Sequence, residues 1–519
     1  MTSTADTTQQ VPPPRASAPH ELVAGPGADA PVAATVRGMF GRDSIYLLLW
    51  VVQVGFAALF TSVSTRLLGP ASFGLVAASI AIMQVLVAIG GVGLQNAVQR
   101  RYAAPGGNAD ARRLVTVAVV ISLATFAIAD LTGPAWSQAV GLGPYPLAVR
   151  YAVAWAALTA ISNAALGLLR SRDQLVPFAT VCLMQSVVAE GLSLVFVLLV
   201  HRSASNFILG QLVAQAAAVA VALAVARPLL VRRRDLGMVA DALRFALPLV
   251  PALLAALVLE ACDRLVIQHD LGSAPVARYA VAYNIGSIAI LALGALNTVW
   301  MPRVFALANA RVRDSVLAQS RDAVYALLIP VVAGLGIGAP VLLHIWAPPT
   351  YAPNSLRGIV AIIAVSSFAF AGGVSHTRTL LWAGRTLPVA LAAILAAALN
   401  LLLNLALVPF LRIAGAALAT LISYMVLHAM LAAAAGTVTR LPMPRPALLV
   451  GVGAAVVAAF GAARLPVTFT FLAVRGVVGL VCAAMFAAML LALAGTSAWP
   501  PARRFGRPLV ARLVHNEVR

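Results

Sequence analysis

Ionisable residues set inside long apolar runs are the places where this sequence could do chemistry. Glu190 and Glu260 are the two acids deepest in apolar sequence. Each lies roughly 15 residues into its run, about 22 Å along a helix that rises about 1.5 Å per residue. An ionised group at that depth is costly in hydrocarbon, so an acid kept there points to a proton or cation site lining a shared cavity. Asp263 joins them near the far end of the run that carries Glu260. For Glu260 an i, i+4 pair with Arg264 on one helix face is the alternative, and it needs no function. Glu190 has no such basic neighbour.

Arg66, Arg264 and Arg278, together with Arg150, fall near the outer ends of apolar runs. Snorkelling to the headgroups is the default for such positions. The sharper reading is a ring of guanidinium groups that holds phosphate or sugar carboxylate by bidentate contacts, a substrate-binding set. Arg378, with His376, sits near the cytoplasmic end of its run. It would serve the intake side of that set, or act as a simple interfacial anchor. Asn400 and Asn404 share one helix face and suit an interhelical hydrogen bond. Pro177, Pro248, Pro251, Pro330 and Pro340 are placed to start or bend helices. GLGIG at Gly334 to Gly338 suits close packing or a hinge and lacks any nucleotide-loop context.

The elements that hold these residues must cross a bilayer. The chain is 61% hydrophobic and 10% charged over 519 residues, with mean hydropathy +0.95. Apolar runs recur from Ile45 onward, and about fourteen reach spanning length. Their expected limits are 44–66, 74–98, 113–133, 147–169, 175–200, 206–230, 243–268, 277–301, 322–346, 356–382, 386–409, 411–436, 446–463 and 470–494. The expected fold class is therefore an all-α polytopic membrane protein with no room for a large soluble domain.

The net charge of +20 rests on arginine alone. Arg100, Arg101, Arg112 and Arg113 follow the second span, Arg232 to Arg234 the sixth, and Arg303, Arg311 and Arg313 the eighth. Alternate links such as LGPASFG and APPTYAPN are nearly uncharged. The positive-inside rule then places both termini in the cytoplasm. Scattered through short loops, the arginines form no nucleic-acid surface. Cys182, Cys262 and Cys482 lie in apolar runs with no metal-ligand spacing. No cofactor motif and no HExxH, GxSxG or ATP-binding pattern is present, so the expectation is a protein that is not an enzyme.

The sequence also repeats at an offset of about six spans, the mark of two parallel repeats. GVGLQNAVQR (Gly91 to Arg100) corresponds to GALNTVWMPR (Gly294 to Arg303), and TRLLGPASFG to DRLVIQHDLGSAPVARY. The expected organisation is a disordered cytoplasmic tail (1–40), an N-terminal six-helix bundle (41–234) and a C-terminal six-helix bundle (235–437). Two extra spanning helices (438–496) and a cytoplasmic tail (497–519) complete it.

Three passages resemble the bacterial polysaccharide flippases of the multidrug/oligosaccharidyl-lipid/polysaccharide superfamily. They are RLLGPASFG, the stretch from RFALPLVPALLAALVLEACDRLVI to NTVWMPR, and ALNLLLNLALVPFLRIAGAALATLISY. The resemblance covers roughly 40–437. It implies two bundles in a V around a cationic cavity. It also implies ion-coupled transport, by proton or sodium, of a polyprenyl-pyrophosphate-linked saccharide to the outer leaflet of the bacterial inner membrane. Arg66, Asp263 and Arg264 fall on the family's motifs. The two extra C-terminal spans resemble those of lipid II flippases. Implied partners are the lipid-linked saccharide, membrane lipids, a coupling ion and, beyond these, a glycan polymerase or glycosyltransferases. Cation-coupled drug antiport and a membrane glycosyltransferase or ligase are the competing readings.

Overall fold

In hydrocarbon a single segment can satisfy its own backbone N–H and C=O groups only as a helix. The computed structural model describes residues 59–291, 293–294, 310–439, 441–466 and 468–494, and among them the regular elements are all helices. After a helical segment at 59–67, the chain forms α1 (Pro70–Gly91), α2 (Leu94–Tyr102), α3 (Gly107–Leu131), α4 (Gly133–Ala139) and α5 (Leu147–Ser171). Next come α6 (Leu175–Leu199), α7 (Ala204–Ala226), α8 (Leu236–Ala246), α9 (Val250–Leu271) and α10 (Ser273–Gly286). The remainder is α11 (Ala310–Trp346), α12 (Arg357–Trp382), α13 (Thr386–Leu411), α14 (Ile413–Gly436), α15 (Pro446–Arg464) and α16 (Phe469–Ala494).

Among the described residues, 12 segments are long and apolar enough to cross a membrane, and they answer to the expected second to seventh and ninth to fourteenth spans. The expected first span, 44–66, lies mostly outside the described residues. The expected eighth, 277–301, begins earlier, at Ser273, and is described only in part beyond Gly286. The seventh is not one uninterrupted rod. Pro248 sits in a 3-10 turn, Leu247–Leu249, between α8 and α9, and Pro251 opens α9, where a missing N–H costs nothing. Pro330 and Pro340, by contrast, lie inside a continuous α11.

Helix pairing repeats along the chain. In the first set α5 packs on α1, α3 and α7, and α7 packs on α6. Six spans later α12 packs on α10, α11 and α14, and α14 packs on α13. The sets meet where α1 lies against α9 and α10. One continuous apolar core crosses that contact, taking in Phe73, Val76 and Ala152 on one side and Ile267, Tyr279 and Val360 on the other. α15 and α16 stand outside the repeat and pack on α11.

Lipid tails are as apolar as leucine, so helices associate in a membrane through close van der Waals approach at small residues. At Gly210 of α7 an added Cβ would fall against the backbone of Leu192 and Ser193 of α6. The GLGIG run resolves as packing: Gly336 abuts Ala459 of α15, and Gly334 faces Cys482 of α16. Gly210→Leu is expected to destabilise the first set by about 1–3 kcal/mol, the usual cost of overpacking, and to lower the melting temperature of the purified protein in detergent.

Candidate functional site

Most of the sequence-nominated groups lie along α9, α10 and α6, and each is held by a neighbour of its own. Asp263 of α9 is buried, at 2% exposure. Its carboxylate accepts a hydrogen bond from the Tyr279 hydroxyl of α10 and one from the Arg264 backbone N–H at 2.8 Å. The Arg264 guanidinium is nearly buried and stands 3.9 Å from that carboxylate. It lies over the Tyr283 ring, 4.8 Å from the centroid, a favourable seat for a cation on a π face.

The i, i+4 side-chain pair between Glu260 and Arg264 does not form. Arg264 Nη1 donates to the Glu260 backbone carbonyl at 3.0 Å, and the Glu260 side chain is exposed. The guanidinium follows Asp263 and Tyr283 inward, because the buried carboxylate is the partner that most needs it.

Glu190 occupies a second polar track. α6 is interrupted by a π turn, Met184–Val188, immediately before it, and such turns commonly mark functional positions. The Glu190 carboxyl, partly buried, lies against the Gln211 amide of α7. One helical turn further on, Gln215 Nε2 donates to Ser162 Oγ of α5 at 2.9 Å. Gln185, inside the π turn, donates to the same oxygen at 2.7 Å. Three helices are thereby tied at one hydroxyl beside a single acid.

The arginines nominated from the sequence each bond to groups of the protein itself. Arg66 donates to Ser62 and, at 2.9 Å, to the Ile345 carbonyl at the end of α11. Ser62 and Thr65 donate to the Ile345 and Trp346 carbonyls at 2.7 and 2.6 Å. Arg278 donates to the Tyr351 carbonyl at 3.1 Å and to Ser355 Oγ at 2.9 Å. Arg150 pairs with Asp130 at 3.0 Å. Arg378 is buried in α12 at 3% exposure, far from the clasp in sequence and on the other side of the fold's alternation. In this arrangement Arg66, Arg278 and Arg150 are each engaged within the protein. Helix C-terminal carbonyls and a carboxylate already accept their N–H groups.

Together these bonds make a clasp on the face that carries the nearly uncharged links. Tyr351 Oη adds a bond to the Leu68 carbonyl at 2.9 Å, and the Tyr351 and Phe73 rings meet edge to face with centroids 6.2 Å apart. Burial pushes the Tyr351 phenol above its ordinary value, so it stays a donor throughout the neutral range. Nearby, Tyr145 is also raised, by burial first and then by the Asp130 carboxylate beside it. Gln268 Nε2 reaches the Gly141 carbonyl at 3.3 Å across the two sets.

Sequence reasoning missed the partners: Tyr279, Tyr283, Ser162, Gln185, Gln211 and Gln215. Gln211 and Gln215, at i and i+4 in an apolar run, were the available signal. Asn400 does bridge helices, accepting from Cys262 of α9 at 3.1 Å, while Asn404 bonds back to Asn400 within α13. His376 has a neighbour the sequence did not offer, the His428 ring of α14, with centroids 5.3 Å apart.

The family model described as polysaccharide biosynthesis protein matches residues 40–308. No curated protein matches the chain. Among solved structures, the fold is similar to the lipid II flippase MurJ in an inward closed conformation, with TM-score 0.65 and 14% identity over 89% of this chain and 100% of that one. It is also similar to an inward-facing multidrug resistance MATE family transporter of the MOP superfamily, with TM-score 0.56 and 16% identity over 84% and 99% of the two chains. An outward-facing MATE family structure aligns with TM-score 0.55 and 17% identity over 79% and 99%.

Tyr279→Phe removes the hydroxyl that donates to the buried Asp263 carboxylate while keeping the ring's packing. Leaving a buried acceptor short of a donor is expected to cost about 1–3 kcal/mol, read as a lower thermal midpoint in detergent.

Proposed function

Since the chain belongs to the family described as polysaccharide biosynthesis protein, we propose that it is a flippase. Its cargo is a polyprenyl-pyrophosphate-linked saccharide, moved from the cytoplasmic to the outer leaflet of the bacterial inner membrane. The observation that carries this reading is the clasp. Two helix sets with matching pairing are joined on the uncharged-link face by bonds from Arg66 to the Ile345 carbonyl and from Tyr351 to the Leu68 carbonyl. Such bonds can be exchanged for phosphate oxygens at little net cost, because guanidinium serves both acceptors and phosphate better.

In this mechanism the arginine-rich face is cytoplasmic by the positive-inside rule, and the headgroup enters there past Arg378. The two sets, read as bundles 41–234 and 235–437, then rock about the α1–α10 contact. As the clasp parts, Arg66 releases the Ile345 carbonyl and meets the pyrophosphate, joined there by Arg278 and Arg264. Glu190 and Asp263, with Glu260 nearer the surface, take up or release the coupling proton or sodium ion. Each is poised for this because its charge is expensive in hydrocarbon and its partners differ between the two arrangements. No step makes or breaks a covalent bond, so the protein acts as a transporter. Glycosyltransferases and a polymerase would supply and consume its cargo.

Cation-coupled drug antiport is the second reading, favoured by the likeness to the MATE family structures. It would need an acid-dominated cavity. The headgroup-binding candidates here are arginines.

Glu190→Gln and Arg66→Ala test the proposal in proteoliposomes loaded with a fluorescent lipid-linked saccharide. Coupling of this kind is worth about 1–3 kcal/mol, so the flipping rate should fall roughly 5- to 150-fold in each variant, at unchanged protein amount. Unchanged rates in both would remove the site assignment. Uptake of a cationic drug with no movement of the saccharide lipid would favour antiport.

A further inference from the structure

A cavity of about 710 Å³ lies beside α16, and its lining takes in Ile345 and Trp346 at the end of α11. It runs between α11 and α16, closed at the back by Ile288, Ala289 and Leu293. Leu328, Leu335 and Leu342 form one wall, and Gly479, Ala483 and Phe486 the other. From Val324 to Trp346 the α11 wall extends roughly 33 Å at 1.5 Å per residue, about the depth of a hydrocarbon core. Small residues of α16 line the slot, and a Cβ added at Gly479 would lie 3.8 Å from the Gly338 Cα of α11.

One lining residue is charged. Arg475 is 3% exposed, and its Nη2 donates to the Ala462 and Leu465 carbonyls at 3.1 and 3.2 Å, at the link between α15 and α16. Its Nη1 is buried and has no partner among the described residues. A guanidinium N–H held out of water without an acceptor is costly. Here it sits about 9 Å along α16 from the link, near the depth of a lipid's phosphate and glycerol. Arg357 donates to the same Leu465 carbonyl at 2.7 Å, so the slot's mouth is doubly positive.

We propose that this slot seats an anionic phospholipid, its acyl chains along α11 and its phosphate on Arg475 Nη1. The apolar walls accept chains of any chemistry. The head is selected by a positive mouth that favours a phosphate with no ammonium attached. The mouth opens on the uncharged-link face, where the clasp joins the two helix sets. A lipid already in that leaflet reaches it directly, whereas a carrier arriving from the arginine-rich face does not. The occupant is therefore a resident phospholipid, and the transported lipid is a different molecule. This inference rests on the fold and on Arg475, and it stands if the flippase reading fails.

Native mass spectrometry of the full chain in mild detergent tests it, with phosphatidylglycerol, phosphatidylcholine and a polyprenyl phosphate added in separate arms. Phosphatidylglycerol is expected to bind about tenfold tighter than phosphatidylcholine, the worth of one charge-assisted hydrogen bond. Arg475→Gln should abolish that preference, and Arg475→Lys should keep most of it. Gly479→Leu fills the slot without touching the guanidinium and should expel both phospholipids. If Arg475→Gln does not fold, the headgroup preference of the wild type and the Gly479→Leu result still decide. Equal binding of the two phospholipids, a preference that survives Arg475→Gln, or tighter binding of the polyprenyl phosphate would each overturn the proposal.

Discussion

Polar groups in this chain sit where water cannot satisfy them, and that constraint orders the interior. Several serines and threonines are satisfied within their own helix. Ser193 donates to Ala189, Thr420 to Ala416 and Ser423 to Ala419, each back to the carbonyl four residues earlier. Such bonds remove a desolvation cost without joining one helix to another. Other polar side chains reach across helices, and some of them lie at the candidate site: Tyr279 to Asp263, Cys262 to Asn400, Gln185 and Gln215 to Ser162. An acid such as Glu190 is tolerable only because amides and a hydroxyl collect around it.

Between the helices, adhesion is apolar and short-ranged. Alanines recur in the apolar core beside larger side chains, which lets the helices approach closely. The joint between the sets is of another kind on the uncharged-link face. There, guanidinium, hydroxyl and phenol donors meet the free carbonyls at the end of α11. Four carbonyls at a helix C-terminus lack intrahelical partners and must find donors elsewhere. A joint made from such donors is specific and exchangeable, whereas the interdigitated packing inside a set is neither.

α15 and α16 add a third kind of surface. They cover part of α11 through glycine contacts, and they leave an apolar slot instead of a filled interface. The two helices lie beyond residues 40–308 and outside the six-span repeat.

Hydropathy and loop charge determined the helices, their order and close to their limits, because each membrane helix satisfies its backbone alone and needs no distant partner. The repeat between GVGLQNAVQR and GALNTVWMPR leads to an expectation of two like halves, and among the described residues the pairing of α5 with α1, α3 and α7 has its counterpart in α12 with α10, α11 and α14. The acids and arginines were legible as unusual residues for the same reason, an energetic cost that depends on local sequence. Their partners were not legible. Asp263 turned to a tyrosine 16 positions away, Arg66 to a carbonyl 279 positions away, and Arg264 away from Glu260. Which acceptor a guanidinium finds depends on how helices remote in the chain are set against one another, and only tertiary packing decides that.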